Sequence, residues 1–252
     1  MARHQPAAEQ PGPVRVEHSD RVSEPEFEQV LESAARLQRL VPDAVLVGGT
    51  AAALHAGHRL SYDHDHDHAD LQDRFEAVLD DIEDDESWRL NRMTPGKIIL
   101  GELGGIETGV RQMRRSRPLE VVQVELPSGS ILTVPTIEEA LRIKAFLVVQ
   151  RNQVRDYLDT AALSDRMGLD HAAGVLVSID KYYADQRAGD EAVASQLARQ
   201  LADPRPKDSR TLTQLQRYKG LAERWTTWDE VRSVLSQLAA AMLSEAEAEA
   251  GR

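Results

Sequence analysis

The chain has 252 residues, 42 acidic against 30 basic side chains, and a formal net charge of −12. It contains no cysteine, which excludes disulfides, thiolate zinc centres and a cysteine nucleophile. Hydrophobic content of 41% with 29% charged residues suits a globular chain of one large domain or two small ones; no apolar run approaches the ~20 residues of a membrane span, and the acidity weighs against tight, non-specific nucleic-acid binding.

Residues 1–22, rich in Pro, Gln, Glu and Arg, predict a tail without fixed structure. No apolar segment follows the basic N-terminus as a secretory signal would need, so a cytoplasmic location is expected. Ser23 and Glu26 have capping-box spacing. Phe27, Val30, Leu31, Ala34, Leu37 and Leu40 then recur at helical spacing until Pro42. Val45, Leu46 and Val47 predict a short buried strand, Gly48-Gly49-Thr50 a turn, and Ala51 to His55 a helix ended by Gly57. A helix starting there offers free N–H groups and a partial positive charge to a phosphate. From Asp63 the chain reads as a strand, with Asp63, Asp65 and Asp67 on one face and His64, His66 and His68 on the other. Neighbouring carboxylates repel unless a cation lies between them, and hard oxygen donors suit magnesium completed by water and substrate phosphates. A phosphate-cradling turn before a pair of metal-binding acids implies nucleotidyl transfer.

Leu71 to Ile82 predict an amphipathic helix, and the acidic run 80–86 a solvated face. A strand is expected to begin at Trp88. Residues 97–103 and 106–112 form a candidate hairpin around Gly104-Gly105, and residues 119–126 and 130–134 a second around Pro127-Ser128-Gly129. This order predicts an α+β sheet with helices on one side. Thr136, with Glu139 three residues on, caps the next helix. On one uninterrupted helix Lys144 and Asp159 would stand ~22 Å apart, too far for one site. The polar stretch Gln150 to Gln153 therefore predicts a turn, with residues 154–167 returning antiparallel and Asp156 and Asp159 on one face. After Gly168, helices are expected over 172–183, 190–201, 212–222 and 228–243, with a Pro-broken loop at 203–207 and a fraying Glu-Ala end. The division expected is a tail (1–22), a core (23–167) and a C-terminal helical domain (168–252).

Gly48-Gly49-Thr50 followed by Ser61-x-Asp63-x-Asp65 resembles the polymerase-beta-like nucleotidyltransferase superfamily. With His58-Arg59, Lys144 and the Arg155-Asp156-Tyr157-Leu158-Asp159 string, it is similar to the AbiEii/AbiGii family, toxins of type IV toxin–antitoxin systems. The resemblance implies a nucleotidyltransferase fold, a mixed sheet flanked by helices, with a C-terminal helical domain. It implies NTP as substrate, two magnesium ions on Asp63 and Asp65, tRNA 3′ ends as acceptor and a cognate antitoxin as partner. Lys144 would hold the triphosphate and Asp159 would be the essential late acid. Gly48, Gly49, Thr50, Arg59, Ser61, Arg151, Arg155 and Asp156 would line the NTP site, and Ser61 is where an antitoxin kinase could silence the enzyme.

Blander readings accompany these. Superfamily members often carry a third carboxylate on a neighbouring strand; Glu107, Glu120 and Glu125 are candidates, Glu107 first because its strand is expected beside the acid strand. Arg151 and Arg155 could simply pair with Asp156 and Asp159. His64 and His66 are better read as buried or hydrogen-bonded than as ligands, and Trp225 and Trp228 as packing residues rather than base-stacking ones. Arg111 to Arg117 forms a local basic run on an acidic chain. Small-molecule or protein nucleotidylation, or an inactive nucleotide-binding module, are the competing functions.

Overall fold

The computed structural model describes residues 24–186, 190–218 and 220–251; the expected tail and the Ser23 cap lie outside them. Helix α1 (Pro25–Leu40) starts with Pro at its first turn and Glu24 at the N-cap, where a missing N–H costs nothing. It leads into β1 (Val45–Val47), which passes directly into α2 (Gly48–Ala56), closed by Gly57 at φ 61°. Strand β2 (Asp63–His68) and α3 (Leu71–Glu83) follow. Then come β3 (Trp88–Thr94), β4 (Ile98–Leu103) and β5 (Ile106–Gln112). These build one mixed sheet of order β1-β2-β5-β4-β3, with β2 parallel to β5 and the other pairs antiparallel.

The period-2 pattern of β2 decides the two faces of this sheet. Its histidines are buried toward α1 and α3, where Leu37, Phe75, Val78, Ile82, Ile99 and Val110 form a core. Its aspartates face the other way. The second hairpin, β6 (Val121–Glu125) and β7 (Ile131–Pro135), forms where the turn residues predict it but does not extend the sheet. It packs as a separate ribbon on Phe27 and Leu31 of α1 and Leu54 of α2.

Helices α4 (Ile137–Arg151) and α5 (Val154–Met167) are joined by a tight reversal. The Thr136 hydroxyl accepts from the Glu139 N–H as its spacing predicts. Asn152 takes φ 54° at the C-cap, a left-handed conformation that Asn tolerates better than most residues. Beyond lie α6 (Leu169–Val177), α7 (Asp180–Tyr183), α8 (Val193–Ala202) and α9 (Trp228–Ala250). The helix expected over 172–183 is broken into α6 and α7, and two further sequence expectations fail. Residues Ser209–Arg217 form a 3-10 segment instead of an α-helix, and α9 continues through the Glu-Ala repeat to Ala250. Leu141, Leu158, Leu176, Leu197 and Leu235 share one apolar cluster, so the packing runs unbroken across Gly168. Trp225 is buried in it, and Trp228 packs edge-on against Tyr157. Among the described residues no helix is long and apolar enough to cross a membrane.

Candidate active site

The parallel register of β2 and β5 sets Asp63 beside Glu107, Asp65 beside Gly109 and Asp67 beside Arg111. Register partners share a face, so these residues lie together on the side of the sheet away from α1 and α3. Gly109 matters for what it lacks: a Cβ there would collide with the Asp65 carboxylate. Arg111 Nε donates to Asp65 Oδ1 at 3.2 Å. The Ser61 hydroxyl donates to Asp63 Oδ1 at 2.9 Å and fixes that carboxylate from two residues upstream.

The glycine corner closes on the same face. Gly48 takes φ 73°, and a Cβ there would stand 3.5 Å from Asp65 Cβ. Gly49 is filled from outside: its Cβ would meet Arg59 Nη2 at 2.5 Å and Ser61 Oγ at 3.1 Å. No side chain caps the start of α2, so its first N–H groups remain available to an anion. The Thr50 hydroxyl is not among them. It is buried and donates to the Asp63 carbonyl, tying α2 to β2. A buried hydroxyl seeks the nearest free carbonyl, so the triphosphate contact expected of Thr50 falls to its backbone N–H at the start of α2.

Beneath this corner lies a buried ionic cluster. Asp159 is fully buried. Its Oδ1 accepts from His58 Nε2 at 2.7 Å and Arg59 Nε at 2.8 Å. Its Oδ2 accepts from Arg59 Nη2 at 3.1 Å and pairs with Lys144 Nζ at 2.7 Å. Burial alone would push its carboxyl up, but Arg59 and Lys144 hold it well below the usual carboxylate range. Burial pushes the His58 imidazole down despite Asp159. The reversal at Asn152 is what brings Lys144 onto Asp159. Lys144 is almost fully buried with its ammonium on Asp159 rather than offered to the cleft. Arg59, of the three basic partners, also lines the open cleft.

The remaining expected site residues divide. Asp156 is buried and pairs with Arg151 at 2.9 Å, while Arg155 is exposed on α5. The i,i+4 pair considered for Arg155 and Asp159 does not form; Arg59 takes that place. Glu120 pairs with Arg142 at 2.8 Å, away from Asp63. His64 bonds Ser33 and Thr108, as a buried histidine should. Of the basic run only Arg115 is buried, against Glu139 at 2.7 Å; Arg111, Arg114 and Arg117 stay exposed, Arg117 lying 4.1 Å from the Tyr182 ring centre.

A cleft of about 380 Å³ opens over Asp63, lined by Arg59, Leu60, Ser61, Tyr62, Glu107 and Tyr218. Nothing in the sequence marks Tyr218 or Arg111 as a site residue. Tyr218 arrives from a distant segment without a motif, and Arg111 owes its place to strand pairing. Among the described residues no three His, Asp or Glu side chains converge into a ready cation cage. Two carboxylates on one face still fit magnesium, which commonly takes one or two and completes its shell with water and phosphate.

No protein-family model matches the chain. It is 35% identical over 234 residues to heme uptake protein MmpL11 of Mycobacterium tuberculosis, and equally to probable transport protein MmpL11 of Mycobacterium bovis. That match covers 86% of this chain but only 23% of those proteins, so the chain spans under a quarter of their length. Among solved structures, MenT4, a nucleotidyltransferase toxin of M. tuberculosis, aligns with TM-score 0.52 at 15% identity, covering 86% of this chain and 84% of that one. A candidate nucleotidyltransferase from H. pylori aligns with TM-score 0.50 at 18% identity, covering 89% and 97%. With its mixed five-stranded sheet, flanking helices and C-terminal helices, the chain has the nucleotidyltransferase fold.

Proposed function

We propose that the chain is a magnesium-dependent nucleotidyltransferase that moves a nucleoside monophosphate from an NTP to an acceptor hydroxyl, with pyrophosphate leaving. One observation carries this reading: Asp63 and Asp65 stand a pleat apart on the face of the sheet away from α1 and α3, with the Gly48 backbone against Asp65. Asp63 and Asp65 would hold the two ions, and Glu107, beside Asp63 but not converging with the pair, would have to swing inward to serve as a third ligand. Bound magnesium would screen the triphosphate and acidify the acceptor hydroxyl. The uncapped start of α2 and the Arg59 guanidinium take the phosphates. Ser61 orients Asp63. Asp159 and Lys144 act through Arg59, as positioning residues, since Arg59 lines the cleft and they do not. Arg151 and Asp156 brace the reversal that delivers Lys144.

The acceptor proposed first is a tRNA 3′ end, in a toxin-like enzyme with a cognate antitoxin; the fold shared with MenT4 supports it. A small-molecule hydroxyl is the second reading. It is favoured by the net charge of −12 and the burial of Arg115 against Glu139, which leave less basic surface for a polynucleotide. Incubation with labelled NTPs, magnesium and total RNA is expected to label tRNA, and Asp63→Ala to abolish the label. Label confined to small molecules would select the second reading, and no transfer to any acceptor would refute the enzyme.

A further inference from the structure

The C-terminal region reaches into the cleft at one point. Gly220 and Ala222 lie against the loop that joins α2 to β2. The Ala222 N–H donates to the His58 carbonyl at 2.8 Å. Gly220, at φ 60°, lies so close on Leu60 that a Cβ would overlap that side chain. Tyr218 lies just before them in the chain, with its N–H on the Leu215 carbonyl at 3.0 Å. Its half-buried ring lines the cleft with Asp63, Glu107 and Arg59.

We infer that Tyr218 is the aromatic platform on which the base of the bound nucleotide stacks, so that the C-terminal helical region completes the nucleotide site. The inference rests on the reading of this cleft as an NTP site. An NTP anchored by its phosphates at the start of α2 and Arg59 carries a flat, largely apolar base that must be housed nearby. Leu60, Tyr62 and Tyr218 are the apolar surfaces of the cleft. Tyr62 is 37% exposed and its hydroxyl engages Glu26, which places it at the rim. Tyr218 instead is half-buried, with its N–H bonded to Leu215 and with Ala222 beyond it bonded to His58, so less ordering entropy is lost when a base lands on it. A phenol ring stacks on any base, so the contact would add affinity without selecting strongly among the four nucleotides.

Calorimetric binding to the full chain in magnesium tests this, with ATP, GTP, CTP and UTP as probes and inorganic tripolyphosphate as the base-free control. Tyr218→Ala is expected to weaken binding of the NTPs that the unsubstituted chain binds by about 10- to 100-fold and to leave tripolyphosphate affinity unchanged. Tyr218→Phe, which keeps the ring, should retain NTP affinity. Undiminished NTP binding by Tyr218→Ala, or an equal loss for tripolyphosphate, overturns the inference while leaving the nucleotide site standing. If the alanine variant does not fold, Tyr218→Leu keeps apolar bulk without a ring face and is judged by the same two outcomes. An unsubstituted chain that binds neither NTP nor tripolyphosphate refutes the nucleotide reading itself, and this inference with it.

Discussion

Arg59 and Asp159 are separated by 100 positions in sequence and joined by a forked pair of hydrogen bonds, Nε to Oδ1 at 2.8 Å and Nη2 to Oδ2 at 3.1 Å. This fork couples the helical half of the molecule to the glycine corner. Lys144 and His58 complete the carboxylate's coordination, so one buried anion faces two fixed cations. Removing it would strand both in a desolvated place. Asp159→Asn is therefore expected to lower unfolding free energy by about 3–5 kcal/mol, the usual cost of breaking a buried pair. Urea denaturation checks this. Lys144→Met should cost less, because Arg59 still satisfies Asp159. An Asp159→Asn protein as stable as the unsubstituted chain would contradict the structural part assigned to the cluster.

Asp63 and Asp65 should behave in the opposite way. Asp63 is exposed and Asp65 half-buried, so neither supports the core. Asp63→Asn and Asp65→Asn are expected to melt within a degree or two of the parent, yet to lose nucleotidyl transfer by the order of 10³-fold, since metal polarisation supplies several kcal/mol of transition-state stabilisation. Melting curves run alongside a labelled-NTP assay separate the two quantities. Retained transfer in Asp63→Asn would remove the carboxylate pair from the chemistry.

The glycines make a steric prediction. Gly49→Ala puts a methyl 2.5 Å from Arg59 Nη2, although Gly49 itself has no positive φ to strain. Gly109→Ala drives a methyl into the Asp65 carboxylate. Each moves one functional group by about an ångström, a misplacement that can cost about 10²-fold in rate. Gly49→Ala should appear mainly in NTP affinity, and Gly109→Ala mainly in turnover. Steady-state kinetics on the two variants would show whether the defects separate in this way.

Local patterns in the sequence reached a good part of this. The period-2 alternation of β2 sorted aspartates from histidines, because a one-residue slip would have buried the charges. The Lys144-to-Asp159 distance argument found the turn at residues 150–153, because helix rise is fixed. Pairing between distant segments was beyond reach. Arg155 has the right spacing to meet Asp159, yet Arg59 takes the carboxylate from a different loop. Thr50 sits in the motif but turns its hydroxyl to the strand. Nothing near Tyr218 announces a cleft residue, since its place depends on Gly220 docking on Leu60. The stretch 209–217 has apolar spacing for a helix but forms 3-10 turns, where tertiary contacts override weak propensity.

The buried side of β2 gives a pH prediction. Burial holds the His64 imidazole down at about 4 and that of His66 well below its ordinary value. In the unfolded chain both titrate near 6.5. The folded values are the lower ones, so the unfolded chain binds protons more readily as pH falls. Stability is full above about 6.5 and declines toward 4, by about 3 kcal/mol for His64 alone. Asp67 works against this. Burial, and then Asp65, push its carboxyl up to about 7, with Arg111, Arg114 and Arg115 offsetting only part. Its folded value lies above the unfolded one, so its contribution is present at low pH and lost as pH rises toward 7. Asp67 is only half-buried, and solvent screens its share, so the histidines set the net slope. Urea midpoints should fall between pH 6.5 and 4.5. His64→Gln should flatten that fall, and Asp67→Asn should steepen it while stabilising the protein at pH 8. A midpoint independent of pH in the parent, or a slope unchanged in His64→Gln, would show that these rings do not carry the proton uptake of unfolding.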